Sequence, residues 1–314
     1  MNSQPTAALR ETCDGFEVIR LRSMDAEVAI VPALGAKLVS LRTLPDGREW
    51  LWHPEGALCL FANSVGDSFT DGTLAGADEC IPTVGACRAG GRDLPDHGEA
   101  WSQAWTLDET ALSKGLVRTT LRLPISPFTI TRTVRMEGEI VVLDYELTNH
   151  AAKPEPYLWA LHPLLTFHEG DRLIVPEEVH DIRIEGATRP GAKPGDHWSW
   201  PGPAPEINLN ELRLENDRAS VKFFAGPLRA GHSSIVNERT GDSLEFNWGT
   251  EANPYLGVWL TRGGWRGVHH PAIEPTNAPC DTLAEAQSQF PSSSRILASG
   301  ATKEWSVWIK PSAR

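Results

Sequence analysis

The sequence predicts an all-β fold of antiparallel strands with few short helices, and three observations carry that prediction. Apolar residues recur at every second position over much of the chain, the period of half-buried strands. Trp, Gly and Pro are abundant, at 12, 27 and 24 of 314 residues, which suits a sheet protein with many turns better than a helical bundle. Only "DTLAEAQSQF" reads as a helix, with Asp281 placed to cap it.

Taken in order, "AEVAIVPALGAKLVSLRT" divides into two short strands about Gly35, and "LPDGREWLW" follows with Asp46-Gly47 as a hairpin signal. "LVRTTLRL" sets Val117, Thr119, Leu121 and Leu123 on one face. "FTITRTVRM" does the same with Phe128, Ile130, Val134 and Met136, a face that Arg132 interrupts. An arginine so placed is expected in a buried ion pair. "EIVVLDYELTN" alternates through Val141, Leu143, Tyr145 and Leu147. "PISP" and "EGE" separate these three runs as turns, so an antiparallel meander is the economical arrangement. Residues 187–206 form a Pro/Gly-rich loop carrying Trp198 and Trp200, and such loops on rigid scaffolds help to build sites. Strand patterns resume on both sides of it, so residues 1–314 are expected to form one domain. The C-terminal run alternates through Trp305, Val307 and Ile309 after a turn at Gly300.

The formal net charge of −12, with no local Lys/Arg cluster to offset it, argues against nucleic acid or anionic membranes as partners. The N-terminal residues lack the basic-then-apolar pattern of a secretory signal, and no apolar run is long enough to span a bilayer. Five cysteines, odd in number and without CxxC spacing, suit neither a disulfide framework nor a zinc site. A cytoplasmic protein is the expectation. The residues set no oligomeric state.

Four segments interrupt the strand patterns with ionisable side chains. "GADECIPTV" carries Asp78 and Glu79, and "LPDHGEAW" carries Asp96, His97, Glu99 and Trp101. "WALHPLLTF" is apolar except for His162, and "AIEPTNAPCDTL" holds Glu274 between Ile273 and Pro275. A carboxylate so flanked is expected to be partly desolvated, which raises its pKa, and a nearby imidazole would draw the two toward an ion pair. His269 and His270 are adjacent, and neighbours on a strand face opposite sides, so they are not expected to share a metal ion.

The order "GADECIPTV", "PDHGEAW", "WALHP", "NPYLGVWLTRGGW", "AIEPTNAPCDTL" and "LASGATKEWSVWI" resembles the aldose 1-epimerase, or galactose mutarotase-like, family from about Gly35 to Ile309. The resemblance implies a large antiparallel β-sandwich with a sugar bound in a cleft on one concave sheet. It implies His162 as general acid, Glu274 as general base and His97 as a residue that holds the sugar ring, with no metal or cofactor. Where the family carries an "NR" segment this chain has "GADECIPTV". The family's downstream sugar-gripping aspartate has no clean counterpart, and Lys222 in "VKFFAGPL" is the candidate there.

Those residue types suit anomer exchange. The C1 hydroxyl loses a proton while the ring oxygen gains one, the ring opens, C1–C2 rotates, and closure reverses both transfers. A carboxylate and an imidazole, with reference pKa values of about 4.3 and 6.5, can serve as base and acid. Pairing with Glu274 is expected to keep His162 protonated, with room for a pyranose between the two groups. Trp101 and Trp259 could stack on a pyranose, or fill the sandwich core. Asp78 and Glu79 could contact hydroxyls, or bond within their own turn. Two rival readings remain at this level. One is a sugar-binding protein without catalysis. The other is a lyase or isomerase on a sugar acid, which would need Arg88, Arg92 or Lys222 for the carboxylate.

Overall fold

The computed structural model describes residues 7–45, 47–54, 58–188, 192–204, 206–213, 217–292 and 295–313. Asp46 of the expected hairpin, and residues 189–191 and 205 of the long loop, lie outside them. Two large sheets dominate the described residues. The first has 11 strands in the order Ala7–Cys13, Phe16–Arg22, Ala26–Val31, Lys37–Thr43, Ala77–Cys80, Ala160–Pro163, His269–Thr276, Tyr255–Arg262, Ala219–Ala225, Asp181–Ala187 and His197–Ser199. The second has 8, in the order Asp171–Ile174, Gly231–Asn237, Ser243–Trp248, Thr302–Ser312, Ile140–Asn149, Phe128–Glu137, Val117–Arg122 and Thr106–Leu107.

The strand faces follow the period of the sequence. Val117–Arg122, Phe128–Glu137 and Ile140–Asn149 form the expected meander, with Val134 opposite both Val117 and Leu143. The C-terminal strand joins it through Leu143 and Val307. Ile130, Val134, Leu143, Leu147, Val307 and Ile309 meet Ile19, Val28, Leu38, Leu161, Val258 and Ile273 of the first sheet in one buried apolar cluster. Burial of that surface is the main force holding the layers together, at ~25 cal/mol per Å² of apolar area.

A buried polar cluster crosses this interior. Glu79 of the first sheet accepts hydrogen bonds from Arg132 Nη1 at 2.8 Å, the Tyr145 hydroxyl at 2.8 Å and Trp159 Nε1 at 2.9 Å. Arg132 also donates to the Ala36 carbonyl. Arg132 and Glu79 are both fully buried, and Tyr145 stacks on Trp305 at 5.1 Å. The arginine is therefore ion-paired, as its apolar surroundings predict. Glu79 turns into the sandwich interior, which corrects the expectation that it contacts hydroxyls or bonds within its own turn.

The expected hairpin after Leu41 forms: Arg42 bridges Glu49 in antiparallel pairing, Thr43 N–H donates to the Arg48 carbonyl at 3.3 Å, and Trp50 N–H donates to the Leu41 carbonyl at 2.8 Å. Two further expectations change in detail. The helix forms as Leu283–Gln289, but its cap is Thr282, whose hydroxyl accepts from Glu285 N–H, and Asp281 is left for another role. The long loop folds back as His197–Ser199 on the edge of the first sheet, with Trp200 against Phe223 at 5.6 Å.

Removing one partner of a buried ion pair strands the other charge. Arg132→Ala is therefore expected to cost ~3–5 kcal/mol in denaturant unfolding. Arg132→Met combined with Glu79→Gln should cost less than the sum of the two single substitutions; additive losses would remove the coupling assigned here.

Candidate active site

Strand register assembles the site. His162 lies opposite Asp78, and on the other side Ala160 pairs with Thr276 and Leu164 with Ala272. That register sets His162 directly across from Glu274, which in turn faces Gly257, and Gly257 faces Phe224. One residue pair along, Ala272, Trp259 and Lys222 form a second row. Alternation puts all of these on the face opposite the sandwich interior.

Five ionisable groups converge on that face. His162 Nε2 lies 3.6 Å from Glu274 Oε1. Lys222 Nζ hydrogen-bonds Glu274 Oε2 and stands 3.5 Å from Asp281 Oδ1. His97 sits edge-on to His162, with ring centroids 5.2 Å apart. Its Nδ1 is 3.0 Å from Asp96 Oδ1; the carboxylate can only accept, so Nδ1 carries the proton and Nε2 is free for a ligand. His97 adopts φ 56°, and Gly98 follows at φ 74° with its α-carbon pressed on the Ile81 backbone, where a Cβ would clash. That close approach explains the "HG" pairing.

The residues surround a cavity of about 340 Å³, within the ~300–1,000 Å³ usual for small-molecule sites. Asp96, His97, His162, Lys222 and Asp281 form its polar wall. Phe69, Trp259 and Trp265 form the aromatic one, with the two indoles perpendicular at 6.4 Å. Phe69 stacks on His97 at 3.8 Å and 8° and holds that ring in place. Glu274 lies just beneath the floor and is 1 % exposed.

This arrangement brings some of the expected residues together and not others. His162, Glu274, His97, Lys222 and Trp259 come together from four strands and a loop. The expected room for a pyranose between His162 and Glu274 is absent, because directly opposed side chains on neighbouring strands stand too close, with Nε2 3.6 Å from Oε1. Trp101 is buried, donates Nε1–H to the Asp96 carbonyl at 3.0 Å and packs on the edge of Phe69, so it supports the wall without lining it. Asp78 faces the site but is sealed beneath it in an ion pair with Lys37, whose ammonium also donates to the Ala75 carbonyl at 3.0 Å. Arg88 pairs with Asp93 and Arg92 with Glu155, each away from the cavity, and Lys222 is already matched by two carboxylates. Of the three basic residues offered for the lyase reading, two therefore stand away from the cavity and the third is already paired.

Burial dominates the electrostatics. It holds His162 well below the usual imidazole range, and the neighbouring His97, Lys222 and His270 add to that effect. The expectation of an imidazolium stabilised by Glu274 is therefore corrected. Burial raises the Glu274 carboxyl, with Lys222 pulling the other way. Burial also works against the Lys222 ammonium, but Asp281 and Glu274 outweigh it and its pKa is raised. His162 Nδ1, Glu274 Oε1 and Asp281 Oδ1 are buried without a hydrogen-bond partner among the described residues. Unmet polar atoms clustered at a cavity are a mark of function.

Sequence reading missed Phe69, Trp265, Lys37 and Gly257, and it assigned Asp281 to a helix. Nothing local could have found them, because only strand order and the return of distant loops bring them to one place. His270, weighed only as a metal ligand, lines the same cavity between Trp52 and Trp265, at 5.0 and 6.2 Å. Among the described residues no three metal-ligating side chains are grouped to hold an ion.

No protein-family model matches the sequence, and no curated protein is significantly similar to it. Solved structures are. A galactose mutarotase-like protein from Clostridium acetobutylicum superposes with a TM-score of 0.71 at 13% identity, covering 99% of each chain. One from Lactobacillus casei gives 0.64 at 19% identity, over 94% of this chain and 100% of the other. A galactose mutarotase related enzyme from Lactobacillus acidophilus gives 0.68 at 14%, over 94% and 97%. The chain has the fold of these proteins, the all-β sandwich that its resemblance implied.

Two outcomes test this geometry. Burial pushes His270 down to about 3, so the unfolded chain binds the extra proton between there and the ordinary value of ~6.5. Stability is then fully present above pH ~6.5 and falls by at most ~1.4 kcal/mol per pH unit below it. His270→Gln should flatten that acid limb in urea titrations; an unchanged slope would contradict the burial assigned. A Cβ at Gly257 would sit 3.0 Å from Phe224 and 3.3 Å from the Glu274 Cβ. Gly257→Val should displace the Glu274 carboxyl and shift its infrared carboxyl band while the far-ultraviolet spectrum stays that of the parent.

Proposed function

On the galactose mutarotase-like fold, we propose that this chain is an isomerase of the aldose 1-epimerase type, interconverting the anomers of a cyclic sugar by proton transfer alone. The observation that carries this reading is the pairing of His162, on the floor of the cavity, with Glu274 just beneath it, and with His97 beside His162. A protein that only bound sugar would have no use for an acid–base pair kept from water.

In the proposed cycle a sugar rests over the pair, its C1 hydroxyl and ring oxygen facing one member each. One member removes the hydroxyl proton while the other protonates the ring oxygen, and the ring opens to the aldehyde. Rotation about C1–C2 and closure with both transfers reversed yield the other anomer and return the pair to its starting state. Burial moves the imidazole down and the carboxyl up, so their proton affinities approach each other. A proton shared between matched groups moves either way at little cost, which suits a reaction run in both directions. The pair must hold a single proton to act as acid and base together, so the rate is expected to follow a bell against pH. His97 Nε2 accepts from a sugar hydroxyl, and Trp259 and Trp265 cover apolar faces of the ring.

The test is anomer exchange followed by NMR over a panel of aldoses. The parent should accelerate exchange of at least one sugar, and His162→Ala and Glu274→Gln should each lose ~10²–10⁴-fold, the usual contribution of one acid–base group. Sugar binding without faster exchange would assign a binding protein instead, and an unsaturated product from a sugar acid would assign a lyase.

A further inference from the structure

Lys222 is the least explained charge in the site. The resemblance leaves it where an aspartate would grip the sugar, yet its ammonium points at Glu274 Oε2 and Asp281 Oδ1. It is 6 % exposed and borders the cavity by its edge. It reaches the carboxyl because Gly257 stands between the two strands: Lys222 is one row away from Glu274, and a side chain at 257 would fill the diagonal.

We propose that Lys222 is a positioning residue that acts through Glu274, orienting its carboxyl and setting the pH range over which the His162–Glu274 pair holds one proton. This rests on the isomerase reading above. Two other roles fit the geometry less well. As a sugar ligand, Lys222 would have to leave two carboxylates in a low-dielectric floor. As a nucleophile toward the open-chain aldehyde, it would need a neutral amine, and Asp281 and Glu274 keep it an ammonium without a lone pair.

The groups around Glu274 show why Lys222 is decisive. His162 faces it from Ala160–Pro163, and Asp78 and Cys80 come from Ala77–Cys80. Gly257 of Tyr255–Arg262 contributes no charge, and His97 and Asp281 come from loops. Asp281 favours the protonated carboxyl and His97 opposes it more weakly than Lys222 does. Lys222 is thus the principal charge favouring carboxylate, and the same charge disfavours protonation of His162. Without it both groups bind protons more readily, and the single-proton window moves up.

The experiment is the pH profile of anomer exchange in Lys222→Met, Lys222→Arg and Asp281→Asn. A charge within ~4–6 Å moves a carboxyl by about 1–3 pH units, so the bell should rise by that amount in Lys222→Met. It should stay in place in Lys222→Arg and move to lower pH in Asp281→Asn. A profile that loses height or changes KM without moving overturns the proposal and makes Lys222 a structural or sugar-contact residue. Isotope-edited infrared titration of the Glu274 carboxyl, assigned by its loss in Glu274→Gln, reads the same midpoint without any turnover. If the parent exchanges no sugar but the Glu274 midpoint still rises in Lys222→Met, the isomerase reading fails while Lys222 keeps its hold on Glu274. If the midpoint does not move, the present inference fails whatever the activity. Should Lys222→Met not fold, Asp281→Asn decides: Asp281 is partly exposed, and an unmoved midpoint there overturns the proposal.

Discussion

The contact between Glu79 and Arg132 governs the orientation of everything around it. Each is fully buried, and each comes from a different sheet. Burying two charges is costly unless their hydrogen bonds are met, and Tyr145, Trp159 and the Ala36 carbonyl meet most of them. A one-residue slip of the Ala77–Cys80 strand would turn Glu79 outward and leave Arg132 alone in an apolar interior. The strand is thereby locked in register, and with it Asp78, whose face is opposite and which stands beside His162.

From that register the site follows by geometry. Neighbouring strands bring His162 and Glu274 together, and the glycine at 257 leaves space through which Lys222 reaches the same carboxyl. The floor of the cavity is a row of strand residues held by backbone hydrogen bonds, so its groups have little freedom to drift. The walls are different. Phe69, His97, Trp265 and Asp281 arrive on connecting segments, and they are the parts that can differ between proteins that share this sandwich. Solved structures at 13% to 19% identity keep the sandwich over nearly the full length. Such a fold supports sites of many specificities, and the residues of the site must argue the chemistry.

Burial sets the chemistry as much as residue type does. An imidazole beside a carboxylate in water would be expected to hold its proton more tightly. Here desolvation and the Lys222 ammonium act on His162 in the other direction. The same desolvation raises Glu274. Each group is displaced from its solution value toward the other, a condition that two exposed side chains at the same separation would not reach.

Resemblance to a known family pointed to His162 and Glu274, whereas the sequence, through its own residues, determined the all-β class, the meander of three strands and the buried ion pair of Arg132. These are readable because alternation has a period of two residues, and because a charged residue breaks an apolar face visibly. It could not separate Asp78 from Glu79, adjacent acids of which one lies under the cavity and the other in the core. It made Asp281 the cap of a helix that Thr282 caps, and it left Trp101 open between ligand and core. Only the tertiary structure decided these, and it alone brought Lys222 to Glu274 across 52 positions of chain. Side-chain facing is a local property of the strand, whereas the partner across a sheet is set by which strands pair, and pairing between distant segments leaves no mark in either one.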